Sequence, residues 1–337
     1  MSEINVAILG GGSWGTTVAH LVAHKAPTML WARSPETVAD VNERHRNVQY
    51  LPDHDLHPSL RATADLAEAL DRADLVVMGI PSHAFRETLR EAAPMVRPWV
   101  PVVSLTKGLE LDTGMRMTQI VHDVLPGHPT GVLTGPNLAK EILSGAAAAS
   151  VLAMHDLAVA EALQELFCTE VFRVYTNDDL VGCELGGVFK NVIAIASGMA
   201  DGLGAGDNTR AAVITRGLAE ITRLGVAYGG QPLTFAGLAG MGDLIATCIS
   251  PQSRNRHVGQ RLGEGMTIDE VIAEMDQVAE GVKSCRAVQA MAREAGVETP
   301  ITDQVVAVCH EGSTARDAYA GLLHRAHRRE MHGFADR

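Results

Sequence analysis

A chain of 337 residues, 46% hydrophobic and 20% charged, is long enough for two domains with separate cores and is neither disordered nor fibrous in composition. Its net charge of −12 opposes nucleic acid or anionic lipid as a partner; five scattered cysteines without a C-x-x-C oppose a disulfide framework or a zinc site. A cytoplasmic protein without an integral membrane segment fits best, because no basic segment precedes the first apolar run and residues 146–154, the most apolar stretch, are too short to cross a bilayer.

Residues 4–9 are an apolar, β-branched run that breaks into Gly10-Gly11-Gly12-Ser13-Trp14-Gly15, after which residues 16–23 read at helical spacing. Strand, glycine turn and helix in that order predict a dinucleotide site. Gly10 permits the tight turn, Gly12 lets backbone approach a pyrophosphate, and Gly15 lets the helix pack on the strand. The helix N-terminus offers unpaired N–H groups to the anion. A plain strand-to-helix turn of some other α/β domain is the alternative, since glycine-rich turns are common. Residues 27–32 predict a second strand that ends at Arg33, where an acidic residue would accept from a ribose 2′-hydroxyl and an arginine can instead face a 2′-phosphate.

The alternation continues with a helix over 36–46, a proline-bearing loop over 50–58, a short helix over 65–70, a buried strand over 74–80, a helix over 82–93 and a strand over 100–104. That order predicts a parallel sheet. Strand-like runs recur at 131–133, 146–154 and 171–175. Beyond them the apolar residues keep helical spacing, so the chain divides into an α/β, Rossmann-type dinucleotide-binding domain over 1–177 and an all-helical domain over 178–337. The basic cluster from His324 to Arg329 reads as a solvated helix end.

Ligands of open parallel sheets bind beyond the carboxyl ends of the strands, which singles out Lys107 after one strand and Gly135-Pro136-Asn137 after another. Lys107 can neutralise a phosphate or stand as an exposed loop lysine. In the helical part, Lys190 has the small residues Gly186, Gly187, Ala194 and Ser197 around it on the helix surface, which leaves room for a sheltered ammonium. Shelter makes a lysine usable as a general acid or base, although most helical lysines are merely solvated. Asp243 and Thr247, one helical turn apart, follow a glycine turn, where Asp243 alone reads most simply as an N-cap. Ser250-Pro251-Gln252-Ser253-Arg254-Asn255-Arg256 combines guanidinium, hydroxyl and amide at a helix start, an anion site or a basic surface turn. His20 and His24 share a helix face, but a surface pair fits better than a metal site. There is no G-x-S-x-G and no G-x-x-x-x-G-K-[ST], so hydrolase and P-loop chemistry lack their residues.

Taken together, the glycine turn, Tyr50-Leu51-Pro52, Thr106-Lys107-Gly108, Gly135-Pro136-Asn137-Leu138-Ala139, Lys190-Asn191-Val192-Ile193-Ala194, Gly240-Met241-Gly242-Asp243-Leu244, the 250–256 run and Glu280-Gly281 closely resemble the bacterial-type NAD(P)-dependent glycerol-3-phosphate dehydrogenases. The resemblance spans nearly the whole chain in order. It departs at Asn137, where the family often has a hydroxyl residue, and at Leu138, where it often has Phe.

The resemblance implies reversible reduction of dihydroxyacetone phosphate to sn-glycerol 3-phosphate with NADPH or NADH, feeding glycerophospholipid synthesis. It implies Lys190 as general acid/base, with Lys107, Asn191, Asp243 and Thr247 about the substrate. Ser253, Arg254 and Asn255 would take the phosphate, and Gly135 and Asn137 would line the pocket. Gly10, Gly12, Ser13, Trp14, Gly15, Arg33, Lys107, Ala139, Arg254, Val278 and Glu280 would contact the cofactor. Burial and the charges of Lys107 and Arg254 would lower the lysine's pKa while Asp243 would raise it. Two other readings stay open from the residues alone: a dehydrogenase of a β-hydroxy acid, and a non-catalytic sensor of nicotinamide redox state. A homodimer is compatible with the sequence, which does not fix oligomeric state or preference between NADH and NADPH.

Overall fold

The computed structural model describes residues 4–275 and 279–324. It divides between Leu180 and Val181 into two compact units. Val278, and the basic residues from Arg325 to Arg329, lie outside the described residues.

The first unit is built on an eight-stranded sheet ordered β3-β2-β1-β4-β5-β6-β7-β8. Its strands are β1 (Val6–Leu9), β2 (Thr28–Trp31), β3 (Arg61–Thr63), β4 (Leu75–Met78), β5 (Val102–Ser104), β6 (Thr130–Thr134), β7 (Ala148–Met154) and β8 (Phe172–Asn177). Helices α1 (Ser13–Ala23), α2 (Pro35–Arg44), α3 (Leu66–Leu70), α4 (Ser82–Ala92), α5 (Met117–Val124), α6 (Ala139–Leu143) and α7 (Leu157–Phe167) connect them. Every residue of β1 and β4 is buried, as strands covered on both faces require. Successive residues alternate faces: Val6, Ile8 and Val77 pack with Val18 and Val22 of α1, while Ala7, Leu9, Val76 and Met78 pack with Phe85 and Leu89 of α4.

The sheet is parallel except between β6 and β7, which run antiparallel. The alternation up to residue 104 predicts a parallel sheet, and β1 to β5 pair that way; the apolar run of β7 carries no mark of its direction. The link over 135–147 holds only the five-residue α6, a short return where a parallel strand would need a full crossover. Strand β3 escapes the sequence reading because three residues at a sheet edge carry too little pattern. Its place beside β2 still matters: the chain winds outward from β1 to β3, then returns to add β4 on the other side of β1. The reversal sits at the carboxyl ends of β1 and β4, the position where open α/β sheets take ligands.

From Val181 onward no strand occurs among the described residues. The helices are α8 (Leu180–Gly202), α9 (Asp207–Ala227), α10 (Pro232–Ala236), α11 (Asp243–Ile249), α12 (Arg254–Gly263), α13 (Ile268–Ala273), α14 (Glu280–Glu294), α15 (Pro300–His310) and α16 (Ala315–Leu323), with a π-helical turn over Leu238–Gly242. Among the described residues one helix, α8, is long and apolar enough to cross a membrane by length and composition; it is almost wholly buried and forms the core of this unit. Helix α12 crosses α8 at backbone distance. A Cβ at Gly198 would lie 2.0 Å from the Arg256 carbonyl oxygen, and one at Gly259 would lie 2.0 Å from that of Ile195. No side chain fits between helices at that separation, so the glycines bring the start of α12 against the middle of α8.

Candidate active site

The glycine turn occupies the reversal point of the sheet. Gly10 has φ +125°, and a Cβ there would stand 2.4 Å from the carbonyl oxygen of Gly79, the residue after β4. A Cβ at Gly15 would stand 2.1 Å from the Gly10 carbonyl oxygen, so α1 seats directly on the turn. Beside Gly12 the space is open, with nothing within 4 Å of a Cβ built there. Gly12 is the N-cap of α1 and supplies no side chain to its first-turn N–H groups, those of Ser13, Trp14 and Gly15 included. An open, backbone-lined helix start at the switch point fits a dinucleotide pyrophosphate. The Trp14 indole turns inward, edge-on to Phe172 at 6.1 Å, with its buried Nε1 unpartnered, so its main chain is what faces the helix start. Arg33, just past β2, is exposed.

Asn47 is missing from the sequence reading. It is fully buried in the loop after α2, and its amide donates to the Gly11 carbonyl and to Thr16 Oγ1, both at 2.8 Å. A polar residue in a polar loop gives no signal of such a contact. The expected surface pair of His20 and His24 is also more than that. His20 is partly buried, accepts the His57 N–H on Nδ1 at 3.0 Å, and has its pKa lowered to about 4 by burial and then by the charges of His24 and His57. No group of three or more metal-ligating side chains occurs among the described residues.

Beyond β5, Lys107 is held against the sheet end: Nζ donates to the Gly135 carbonyl at 2.7 Å. It is therefore no free loop lysine. Gly135 has φ +134° just after β6. Asn137 Oδ1 accepts from Ser150 Oγ at 2.6 Å, while the buried Asn137 Nδ2 has no acceptor, a donor aimed at nothing in the protein. Ala139 begins α6.

In the second unit Lys190 is 5% exposed on α8, and its Nζ donates to Asp243 Oδ1 at 2.7 Å and to Thr247 Oγ1 at 2.5 Å. Asp243 is 1% exposed, so the pair is a buried ion pair and the N-cap reading of Asp243 is corrected. The cap position belongs to Gly242, and the carboxylate turns into the core toward the ammonium. The small-residue face of α8 has a packing cause: a Cβ at Gly186 would meet the Ala239 carbonyl oxygen at 2.6 Å, which lets the π-helical turn press on α8 and places α11 opposite Lys190. Thr247 Oγ1 in turn donates to the Asp243 carbonyl at 2.6 Å, which leaves its lone pairs to the lysine. Nearby, burial pushes the Cys248 thiol up to about 12 despite the lysine's charge, so it stays an unreactive thiol at neutral pH.

Asn191, next on α8, accepts on Oδ1 from Asn255 Nδ2 at 3.0 Å, and Asn255 Oδ1 accepts the Gly281 N–H at 2.9 Å. The two asparagines thus tie α8, α12 and the start of α14, where Glu280 is the first residue. Ser253 caps α12 by accepting the Arg256 N–H at 3.2 Å, and Arg254 extends to the surface at the same helix start.

Models of the NAD-dependent glycerol-3-phosphate dehydrogenase N-terminus and C-terminus match residues 5–160 and 179–320. The chain is 63% identical over 321 residues to a glycerol-3-phosphate dehydrogenase [NAD(P)+] of Sphingopyxis alaskensis, covering 95% of this chain and 96% of that one. It is 58% identical over 334 residues to that of Mycobacterium avium, covering 99% and 98%. The crystal structure of glycerol-3-phosphate dehydrogenase from Coxiella burnetii matches with a TM-score of 0.91 at 37% identity, covering 96% of this chain and 99% of that one.

Proposed function

This chain belongs to the NAD-dependent glycerol-3-phosphate dehydrogenase family, and from that premise we propose how its residues carry an NAD(P)-dependent interconversion of dihydroxyacetone phosphate and sn-glycerol 3-phosphate. The observation that carries the assignment is the buried Lys190 with its Asp243 and Thr247 partners. An ammonium has three N–H donors, and two are taken by the protein at fixed positions. The third donates to the substrate's C2 oxygen and passes its proton there as charge develops on that oxygen, with no reorganisation needed at the moment of reaction. Asp243 balances the ammonium's charge in a site that excludes water, and Thr247 fixes its direction.

When bound, the reduced nicotinamide supplies the hydride for the ketone carbon. In the first unit the residues that would hold the cofactor are the turn of Gly10, Gly12, Ser13, Trp14 and Gly15, with Arg33, Lys107 and Ala139; in the second the family resemblance names Arg254 and Glu280, and Val278, the remaining member of that set, lies outside the described residues. The substrate phosphate falls to Ser253 and Arg254 at the start of α12, where helix N–H groups and a guanidinium combine. Within the first unit the family resemblance names Lys107, Gly135 and Asn137 for the substrate, and the unpartnered Asn137 Nδ2 is the donor there best suited to a hydroxyl or phosphate oxygen. Asn191 and Asn255 have their facing amide groups engaged with each other and with Gly281, so they chiefly hold the site's shape. The product serves glycerophospholipid synthesis in the cytoplasm.

An NAD(P)H absorbance assay tests this with dihydroxyacetone phosphate, unphosphorylated dihydroxyacetone and a carboxylated hydroxy acid, each with both cofactors. Turnover confined to the phosphorylated ketone is expected. Equal turnover of the unphosphorylated ketone would remove the phosphate role of Arg254, and turnover of the acid alone would replace the substrate.

A further inference from the structure

The connection over residues 45–60 between α2 and β3 belongs to no part of the glycine motif, yet it reaches into it. Leu51, Leu56 and Leu60 anchor this stretch in the core, and the His57 N–H is held by His20 of α1. At its start Asn47 is spent completely on the protein. One amide hydrogen goes to the Gly11 carbonyl, the other to Thr16 Oγ1, and its own Oδ1 accepts the Tyr50 N–H at 3.3 Å.

The carbonyl of Gly11 and the N–H of Gly12 belong to one trans peptide and point in opposite directions. Fixing that carbonyl on Asn47 therefore turns the Gly12 N–H away from the 45–60 loop, and the space beside Gly12 is open. Neither flanking residue has a side chain to hold this plane, and glycine backbone is the freest to rotate. We propose that Asn47 is the positioning residue of the pyrophosphate turn: it locks the Gly11–Gly12 peptide so that the Gly12 N–H is held ready as a donor to a dinucleotide. The proposal rests on the reading of Gly10 to Gly15 as a pyrophosphate site. Only an amide meets the requirement, since the position needs two hydrogens and one acceptor in a buried place.

The test measures binding of ADP-ribose, which carries the pyrophosphate, and of adenosine, which does not, by calorimetry or NMR titration on the full chain. In Asn47→Asp the size is kept, but an oxygen faces the Gly11 carbonyl where a donor stood. Its ADP-ribose dissociation constant is expected to rise at least about tenfold while that of adenosine stays within about twofold, the loss of one aligned donor to an anion. KM for NADPH and NADH should rise together, with kcat and KM for dihydroxyacetone phosphate little changed. A merely structural role would lower the melting temperature and leave the ADP-ribose to adenosine ratio where it was, and that result overturns the proposal. If Asn47→Asp does not fold, Thr16→Val decides: it removes one of the amide's two acceptors at constant volume and should shift the same ratio by about two- to fivefold, the loss of one neutral hydrogen bond. An unshifted ratio in that protein is equally fatal. Failure of the wild-type protein to bind ADP-ribose at all would instead refute the underlying reading of the glycine turn.

Discussion

The glycine turn of the first unit and the lysine centre of the second are built in opposite ways. The turn is main chain, made by residues adjacent in sequence, and its specificity lies in where side chains are missing: a Cβ at Gly10 or Gly15 would collide with a carbonyl oxygen. The lysine centre is side chain, assembled from positions 53 and 57 residues apart, and its specificity lies in charges and hydroxyls that the fold must bring together and strip of water. A backbone site tolerates change around it so long as the chain path survives. A buried charged site depends on each partner separately, because every group removed leaves another unsatisfied.

The sharpest way to break the comparison is Lys190→Ala. Loss of a positioned general acid should lower kcat by about 10²- to 10⁴-fold, while ADP-ribose affinity, a property of the first unit's turn, stays unchanged. Steady-state kinetics beside calorimetry read both; unaltered turnover would take Lys190 out of the chemistry. Asp243→Asn comes next. It leaves a buried ammonium without its counter-charge, and the second unit should lose on the order of 3 to 5 kcal/mol in denaturant unfolding. The pair Lys190→Met with Asp243→Leu should recover most of that stability and none of the turnover. If the single and double variants are equally unstable, lost packing and not the unpaired charge is the cause.

This contrast also explains what could be read without coordinates. Gly10, Gly12 and Gly15 announce themselves because a contiguous motif, a strand and a helix are local facts. The all-helical second unit is legible for the same reason, its periodicity being local. Asp243 by itself reads as an N-cap, since nothing in its neighbourhood says that a lysine from another helix will stand beside it. Only family resemblance names Lys190, Asp243 and Arg254 together; the structure pairs the first two and leaves Arg254 exposed at the start of α12. Asn47 defeats both routes: it is remote from the turn in sequence and carries no chemistry of its own. The antiparallel step between β6 and β7 is unreadable because strand direction is set by the length of a return and not by the apolar residues in the strand.

Acid and base should separate the two units. In the second, Glu220 of α9 is buried and accepts the Ile301 N–H at 2.7 Å at the start of α15, and burial raises its pKa from 4.5 to about 7. A carboxyl whose folded pKa is raised contributes stability that is complete below its unfolded pKa and is lost as pH climbs through the folded one. This residue should therefore lower unfolding free energy by on the order of 3 kcal/mol between pH 4.5 and about 7. Glu220→Gln should flatten that slope in pH-dependent denaturation; an unchanged slope would assign it elsewhere. In the first unit the sign reverses. His20 has its pKa lowered from 6.5 to about 4, so its folded state resists protonation and stability falls as pH drops through that range. Hydrogen exchange should show the 45–60 loop losing protection on the acid side while α15 keeps it.

The smallest expected effect probes how the lysine is aimed. Thr247→Val keeps the volume and the buried ion pair but removes the oxygen that accepts one of the ammonium's three N–H donors. One donor then lacks its protein partner in a buried place, and the ammonium can swing about its remaining contact with Asp243 Oδ1. The cost should appear as a fall in kcat of about tenfold, the worth of one hydrogen bond to a charged group, with KM for the substrate nearly constant. Thr247→Ser, which returns the hydroxyl without the methyl, should restore most of the rate. A valine variant with full kcat would mean that the carboxylate of Asp243 alone sets the lysine's direction. The centre would then depend on a single side chain, much as the turn depends on a single peptide plane.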